Sequence, residues 1–174
     1  MPHPHSPKEF TMTQTPASEK KTSKASAPLD AFSLLKADHV EVLKLYKQYQ
    51  KLADERGALA AKICRALTVH ASIEEEIFYP AAREVIDDTS VMDHADVEHA
   101  SAKELIAQIE SMSPDESHYD AKVCVLCEYV SHHATEEEEE MFPKLRRKLD
   151  LKAIGEQLSA RKDELTQEMT SEVD

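Results

Sequence analysis

The segment His70-Ala-Ser-Ile-Glu-Glu-Glu-Ile-Phe-Tyr-Pro80 is followed 63 residues later by a close copy, His133-Ala-Thr-Glu-Glu-Glu-Glu-Glu-Met-Phe-Pro143. The two copies agree at the histidine, the alanine, three glutamates and the proline, and their Ser/Thr and Tyr/Phe differences are conservative. In each copy a glutamate follows the histidine by four residues, a spacing that puts both side chains on one face of a helix. The repeat therefore predicts two helical hairpins related by a pseudo-twofold axis.

The rest of the sequence is also patterned for helices. Apolar residues recur at alternating steps of three and four, as one face of a helix requires, and Asp30 is a candidate N-cap for the first helix. The only glycines are Gly57 and Gly155, too few for the turns of a multi-stranded sheet or for a glycine-rich phosphate loop. We expect an all-α fold, an up-down-up-down four-helix bundle with a short fifth helix. The four long helices are expected over residues 31–53, 57–86, 90–110 and 118–148.

The chain divides into three expected parts. Residues 1–28 hold five of the eight prolines and lack hydrophobic periodicity, so they are predicted to be a disordered tail. Residues 29–150 are expected to form the bundle, and residues 151–174 the C-terminal amphipathic helix. Met12, inside the tail, is an alternative start of the natural chain.

Charge and composition restrict the partners. With 34 acidic and 21 basic side chains the net charge is −13, which disfavours a nucleic-acid partner. No stretch approaches the roughly 20 apolar residues of a membrane span, and no secretory signal is recognisable, so a cytoplasmic protein is expected. Three cysteines are an odd number and fit a reducing compartment. Cys64 and Cys127 are expected in the core, and a redox pair between Cys124 and Cys127 would be strained in a regular helix.

The predicted helices carry polar residues on their apolar faces. Each of the four has one histidine there, and two add a glutamate one turn later. Unpaired in a core, each such group costs several kcal/mol, and a bound metal satisfies all of them together. The alternative is that these histidines are ordinary core residues satisfied by hydrogen bonds. That interpretation explains a single histidine on an apolar face better than it explains four on separate helices. The six candidate metal-binding residues are His39, His70, Glu74, His99, His133 and Glu137.

The two copies, with Leu-Lys-Ala-Asp-His39 upstream and Glu-His99 between them, resemble the hemerythrin-like HHE domains over about residues 30–150. The resemblance implies a non-haem di-iron centre, with two iron ions and an oxo or hydroxo bridge. It further implies that the four histidines are terminal ligands and that Glu74 and Glu137 are bridging carboxylates. Members of this family bind dioxygen, or serve in iron homeostasis and in responses to oxygen, nitric oxide or peroxide.

The third helix departs from the oxygen-carrying members, which have a second histidine four residues from the first. Here Lys103 follows His99 by four residues and Ala95 precedes it by four. His94 lies five residues before His99, about 140° around the helix, and is expected to face outward. Each iron would keep an open position, which favours reaction with small oxidants over a pure carrier role.

Several other residues have two interpretations. His132 with Glu136 is a competing ligand pair on the fourth helix. Tyr46, on the same face as His39, is a candidate cap of the pocket, with core filling as the alternative. Four further glutamates are interpreted as a solvated face, or alternatively as a negative funnel for Fe²⁺. They are Glu75, Glu76, Glu138 and Glu139.

The sequence predicts a protein that binds or reacts with O₂, peroxide or NO at the di-iron site. The alternative is an iron-responsive sensor or small-capacity iron-handling protein, with a protein partner or a second copy of the chain on the fifth helix. A peroxide- or NO-consuming enzyme is the third reading, but no acid–base residue stands out, so no catalytic residue is assigned. The choice of iron over manganese or zinc depends on the resemblance alone.

Overall fold

The computed structural model describes residues 29–171, and within that range every regular element is helical. The predicted disordered tail, with Met12, lies outside the described residues. The elements in chain order are α1 (Ala31–Tyr49), a 3-10 turn (Ala53–Glu55), α2 (Arg56–Ile73), a first π-helical segment (Glu74–Phe78), α3 (Tyr79–Arg83), α4 (Ser90–Glu110), α5 (Tyr119–Glu136), a second π-helical segment (Glu137–Met141), α6 (Phe142–Leu145) and α7 (Leu151–Ser171). Since α2 continues into α3 and α5 into α6, the prediction of four long helices and a fifth is confirmed.

The first helix begins as its sequence predicts and ends earlier. The Asp30 side chain accepts a hydrogen bond from the backbone N–H of Ser33 at 3.0 Å, which caps the free donors of the first turn. The helix ends at Tyr49 instead of near residue 53. Leu52 leaves the helical region, with φ −110° and ψ 82°, and a 3-10 turn leads into α2.

The two copies of the repeat share a local distortion. In each, a π-helical segment begins at the candidate ligand, Glu74 or Glu137, and the residues are 137 − 74 = 63 positions apart. The backbone N–H of Tyr79 donates to the carbonyl of Glu74, five residues back, and Phe142 does the same to Glu137. A proline, which has no backbone N–H, follows each of these donors at the start of the next α-helical segment.

A polar layer separates two apolar clusters. One contains Phe32, Phe78, Phe142, Leu145 and Leu158, and the other contains Ile63, Leu67, Val123, Leu126 and Val130. Along each long helix the candidate metal-binding residues lie between members of the two clusters. The clusters fix the four helices on both sides of this layer, which gives it a rigid frame. None of the described helices is both long and apolar enough to cross a membrane.

The C-terminal helix α7 packs against α1, α2 and the first π-helical segment. It approaches the start of α1 closely at Gly155, where an added Cβ would lie 2.8 Å from the backbone nitrogen of Ala31. Farther along, Arg161 pairs with Glu76 at 2.7 Å and Lys162 pairs with Asp38. This helix therefore contacts the bundle close to the polar layer.

Candidate metal centre

The structure brings all six predicted residues into one buried layer. Their exposed fractions range from 0% for Glu74 to 7% for His133. Within residues 29–171 no other histidine or acidic side chain is buried to this extent. Each of the four long helices contributes at least one of these residues, so the layer forms only when the whole bundle is assembled.

The histidines form two pairs that meet through the same ring nitrogen. Nε2 of His39 lies 3.1 Å from Nε2 of His70, and Nε2 of His99 lies 3.2 Å from Nε2 of His133. One pair joins α1 to α2, and the other joins α4 to α5. Two nitrogens bound to one ion are separated by about 3 to 4 Å, because each lies about 2.0–2.1 Å from it. Each pair therefore has the spacing of two ligands on one cation.

The two glutamates lie between the histidine pairs. Glu74 places one carboxylate oxygen 3.3 Å from Nε2 of His70 and the other 3.3 Å from Nε2 of His99. Glu137 Oε2 lies 3.5 Å from His39 Nε2 and 3.8 Å from His133 Nε2. Each glutamate thus contacts one histidine of each pair, the position from which a carboxylate can bridge two ions.

A carboxylate stands behind every histidine, at Nδ1. A ring that donates its Nδ1–H outward keeps a lone pair on Nε2, so the hydrogen-bonded carboxylates orient the rings of His39, His99 and His133 toward the centre. Asp38 and His70 form a longer ion-pair contact. The Nδ1-to-oxygen distances are 3.0 Å for His39 and Glu138, 3.5 Å for His70 and Asp38, 2.9 Å for His99 and Glu75, and 2.8 Å for His133 and Glu98.

These supporting carboxylates correct one sequence interpretation. Glu75 and Glu138 were expected on a solvated face, but Glu75 contacts Nδ1 of His99 and Glu138 contacts Nδ1 of His39. Glu76 pairs with Arg161 and Glu139 is exposed, as expected of surface groups. On an ideal helix, the side chain that follows a buried glutamate points about 100° away from it. Whether that side chain contacts a histidine depends on where the neighbouring helix lies, which the sequence does not show.

The centre has too many acceptors for its donors. Both oxygens of Glu74 and Oε2 of Glu137 are buried without a hydrogen-bond partner among the described residues. Buried polar atoms of native proteins are almost always paired, so this deficit needs positive charge at the centre. Imidazole nitrogens and carboxylate oxygens suit iron, manganese or zinc, and the donor set fits two such cations.

The pKa shifts of the buried side chains also indicate that the centre lacks positive charge. Burial, followed by the charge of Glu137, raises the pKa of Glu74 well above its ordinary value. The pKa of His39 is raised as well, because Glu137 and Glu138 outweigh the larger effect of burial. Burial, and then the neighbouring His133, lowers the pKa of His99 to about 4, which keeps this imidazole neutral and able to bind a metal. A proton on Glu74 and a cation at the centre therefore compete for the same carboxylate.

Tyr79 adds an oxygen that sequence reasoning missed. Its phenol donates a hydrogen bond to Glu137 Oε1 at 3.0 Å and lies 3.2 Å and 3.3 Å from Nε2 of His99 and His133. Its equivalent in the second copy is Phe142, which stacks on Phe32 with ring centroids 4.2 Å apart. The Tyr/Phe difference, conservative by sequence, makes the two halves of the centre chemically different.

A small cavity adjoins the centre on the side of the second pair. Its volume is ≈ 30 Å³, enough for one or two water-sized molecules. It is lined by His70, His99 and His133 together with apolar side chains that include Leu67, Ile106 and Val130. Exposed Tyr129 also lines it, so the cavity extends from the imidazoles toward the surface.

The remaining candidates lie outside the buried layer. His94 is exposed, as expected. His132 and Glu136 are also outside, with 66% of the His132 side chain exposed. Tyr46 does not reach the centre, because its hydroxyl donates to the sulfur of Cys124 at 3.1 Å. The three described cysteines are free, with Cys64 and Cys127 buried as expected.

A bundle with two histidine pairs and two shared carboxylates is the arrangement expected of a hemerythrin-like protein. The sequence profile of the hemerythrin HHE cation-binding domain matches residues 30–126, more than half of the chain. The chain belongs to this family, as the resemblance predicted. Membership supports cation binding at this centre.

Two individual proteins are similar to this chain. A protein from Nostoc sp. strain PCC 7120 named DNA nickase is 29% identical over 118 residues, which are 67% of this chain and 33% of that protein. The chain thus spans about a third of the length of this relative. A solved hemerythrin HHE cation-binding domain-containing protein from Mycobacterium kansasii has a TM-score of 0.67 at 24% identity, covering 79% of this chain and 87% of that one. The second similarity concerns the fold.

Proposed function

We propose that the protein holds two iron ions and binds or reacts with dioxygen or a related small oxidant there. His39 and His70 would hold one ion, His99 and His133 the other, and Glu74 and Glu137 would bridge them. The observation that carries this proposal is the pair of Nε2–Nε2 contacts of 3.1 and 3.2 Å, with unpaired carboxylate oxygens between them. When bound, such a pair of ions supplies electrons to, or coordinates, a small oxidant.

The chain itself prepares this chemistry in three ways. Hydrogen bonds from carboxylates at Nδ1 favour, for His39, His99 and His133, the tautomer whose Nε2 would face the ions. The two apolar clusters enclose the layer and restrict water. The phenol of Tyr79 lies beside the His99–His133 pair, where it would offer a further oxygen ligand to the ion held there.

The cavity favours a small, weakly polar ligand. A volume of ≈ 30 Å³ with walls of Leu67, Ile106 and Val130 suits a diatomic molecule better than an organic substrate. Three of the four histidines line it, so a molecule in the cavity lies against the centre. This supports O₂, NO or peroxide as the ligand class.

Anaerobic loading with Fe²⁺, metal counting, and optical spectra before and after O₂ test the proposal. Two irons per chain and a visible absorption that appears with O₂ support it. Disappearance of that absorption on degassing indicates reversible binding, whereas its persistence indicates oxidation chemistry. Fewer than two irons per chain, or spectra insensitive to O₂, NO and peroxide, would overturn it.

An iron-responsive sensor is the second candidate, favoured by the contact between α7 and the centre. Lys162 of α7 pairs with Asp38, and Asp38 lies 3.5 Å from Nδ1 of His70. A metal bound only by the folded state would stabilise that helix through this contact. Hydrogen exchange of α7 should slow on iron loading, and unchanged exchange would reject the sensor.

The nicking of DNA is not proposed for this chain. Its net charge of −13 opposes binding to phosphates. The similarity to the Nostoc protein covers only a third of that protein, so its name describes a much longer chain.

A further inference from the structure

A second group of metal-binding side chains lies at the surface beside the buried centre. His132 and Glu136 are four residues apart on α5, and Nε2 of His132 lies 3.3 Å from Oε1 of Glu136. Glu98 of α4 faces them, with its Oε1 3.9 Å from the same nitrogen. The three ligand atoms all lie within 4.8 Å of one another, which fits ligands sharing one divalent cation.

Glu98 also contacts the buried centre. Its other oxygen, Oε2, accepts a hydrogen bond from Nδ1 of His133 at 2.8 Å. One carboxylate therefore joins the surface group to a histidine of the second pair. Glu98 lines the small cavity together with His99 and His133, so the surface group and the cavity share a wall.

The other three supporting carboxylates are closed to cations. Each is paired on its outer side with a lysine ammonium, which neutralises the carboxylate and repels an approaching ion. The pairs are Lys36 with Glu138, Lys162 with Asp38, and Lys103 with Glu75. At Glu98 the outer partner is His132, a side chain that can bind a metal through a nitrogen lone pair. Of the four supports, Glu98 alone offers a cation a ligand in place of a repelling charge.

We propose that Glu98, His132 and Glu136 form a third site for divalent first-row cations, through which ions reach the buried centre. The role in delivery rests on the proposed function of that centre. One nitrogen and two carboxylate oxygens suit Fe²⁺, Mn²⁺, Co²⁺ or Zn²⁺, and exposure makes the site weaker and faster to exchange than the buried one. The net charge of −13 brings cations to the protein, and this group provides a place for them to bind.

Equilibrium dialysis with Co²⁺ at neutral pH tests the site. The wild type should bind two equivalents tightly and a third weakly, and the third should weaken by at least about tenfold in His132→Ala and in Glu136→Gln. His94→Ala and Glu140→Gln, which alter an exposed histidine and an exposed glutamate elsewhere, serve as matched controls and should keep all three. Two tight equivalents without a third, or a third that survives both variants, would overturn the proposal.

The kinetics of loading test the route. Under anaerobic stopped flow with two equivalents of Fe²⁺ at low concentration, filling of the buried centre should slow several-fold in His132→Ala and Glu136→Gln, while the final iron count stays at two. Equal rates in variants and wild type would reject delivery through this site. If the wild type binds only one weak equivalent, and His132→Ala loses it, the surface site is supported and the buried di-iron centre is rejected. The two failures are therefore distinguishable.

Discussion

Glu138 Oε1 lies 3.0 Å from Nδ1 of His39, across the interface between the second π-helical segment and α1. The other oxygen of the same carboxylate pairs with Lys36 at 2.9 Å. Glu138 immediately follows the candidate bridging residue Glu137, so the two adjacent glutamates contact opposite nitrogens of one imidazole. The ring of His39 is held from both sides.

Removing this support should weaken metal binding without removing a ligand. Glu138→Gln keeps the shape of the side chain but loses the charge that orients His39, and such changes cost about 10–100-fold in affinity. Competition with a chelator measures the loss. Glu139→Gln, one residue further on and exposed, is the control. Equal affinities for the two variants would contradict a positioning role for Glu138.

The shared carboxylates decide whether two ions bind. Glu74 and Glu137 each contact a histidine of both pairs, so Glu74→Ala or Glu137→Ala should abolish binding of the second ion. His94→Ala should leave the count at two, because His94 is exposed. Metal analysis after anaerobic loading gives the counts. Iron loss in His94→Ala together with full binding in His99→Ala would show that the assignment on α4 is wrong.

The sequence was sufficient to predict the helices and the six inward residues, because both follow from local periodicity. Histidine and glutamate four residues apart share a helix face whatever the rest of the chain does. The π-helical segments were not predicted, although Pro80 and Pro143 marked their positions. Proline indicates that the hydrogen-bond pattern must change but does not determine whether the helix bends or widens.

The residues around the centre could not be predicted in the same way. Asp38, Glu75 and Glu98 contact histidines on other helices, and those contacts depend on how the helices are rotated in the bundle. Tyr79 had one signal in the sequence, since it is a polar residue where the other copy has Phe142. A break in an internal repeat can thus mark a candidate functional residue that the matching positions do not show.

Tyr79 should be visible in the spectrum of the oxidised protein. If its phenol binds the ion held by His99 and His133, Tyr79→Phe should retain two irons and lose a visible phenolate-to-iron absorption. Tyr46→Phe is the matched control, because Tyr46 contacts Cys124 away from the centre. Identical spectra for wild type and Tyr79→Phe would reject ligation. The variant also leaves Glu137 Oε1 without its donor, which should destabilise the metal-free protein by about 1–3 kcal/mol.

The docking of α7 has its own test at Gly155. Alanine at an exposed helix position usually stabilises by about 0.5–1 kcal/mol relative to glycine. At Gly155 the added Cβ would meet the backbone of Leu29 and Ala31, so Gly155→Ala should destabilise by about 1–3 kcal/mol instead. Denaturant unfolding measures the sign. Glu156→Ala, at the exposed neighbouring position, should change stability little, and a stabilising Gly155→Ala would contradict the close packing.

Metal binding should release protons and strengthen as the pH rises. In the metal-free protein, burial and then the charge of Glu137 raise the pKa of Glu74 well above its ordinary value, so this carboxyl holds its proton to a higher pH than an exposed glutamate does. A cation binds only the deprotonated form, so a lower pH favours the proton and a higher pH favours the metal, by about tenfold per pH unit for each proton released.

Calorimetry in two buffers of different ionisation enthalpy counts those protons directly. At about pH 7 we expect metal binding to release protons from Glu74 and His39, because the pKa values of both groups are raised. His94→Ala should leave the number unchanged, since its exposed side chain lies outside the centre. Binding that releases no proton, with an affinity independent of pH around neutrality, would mean that Glu74 is already ionised.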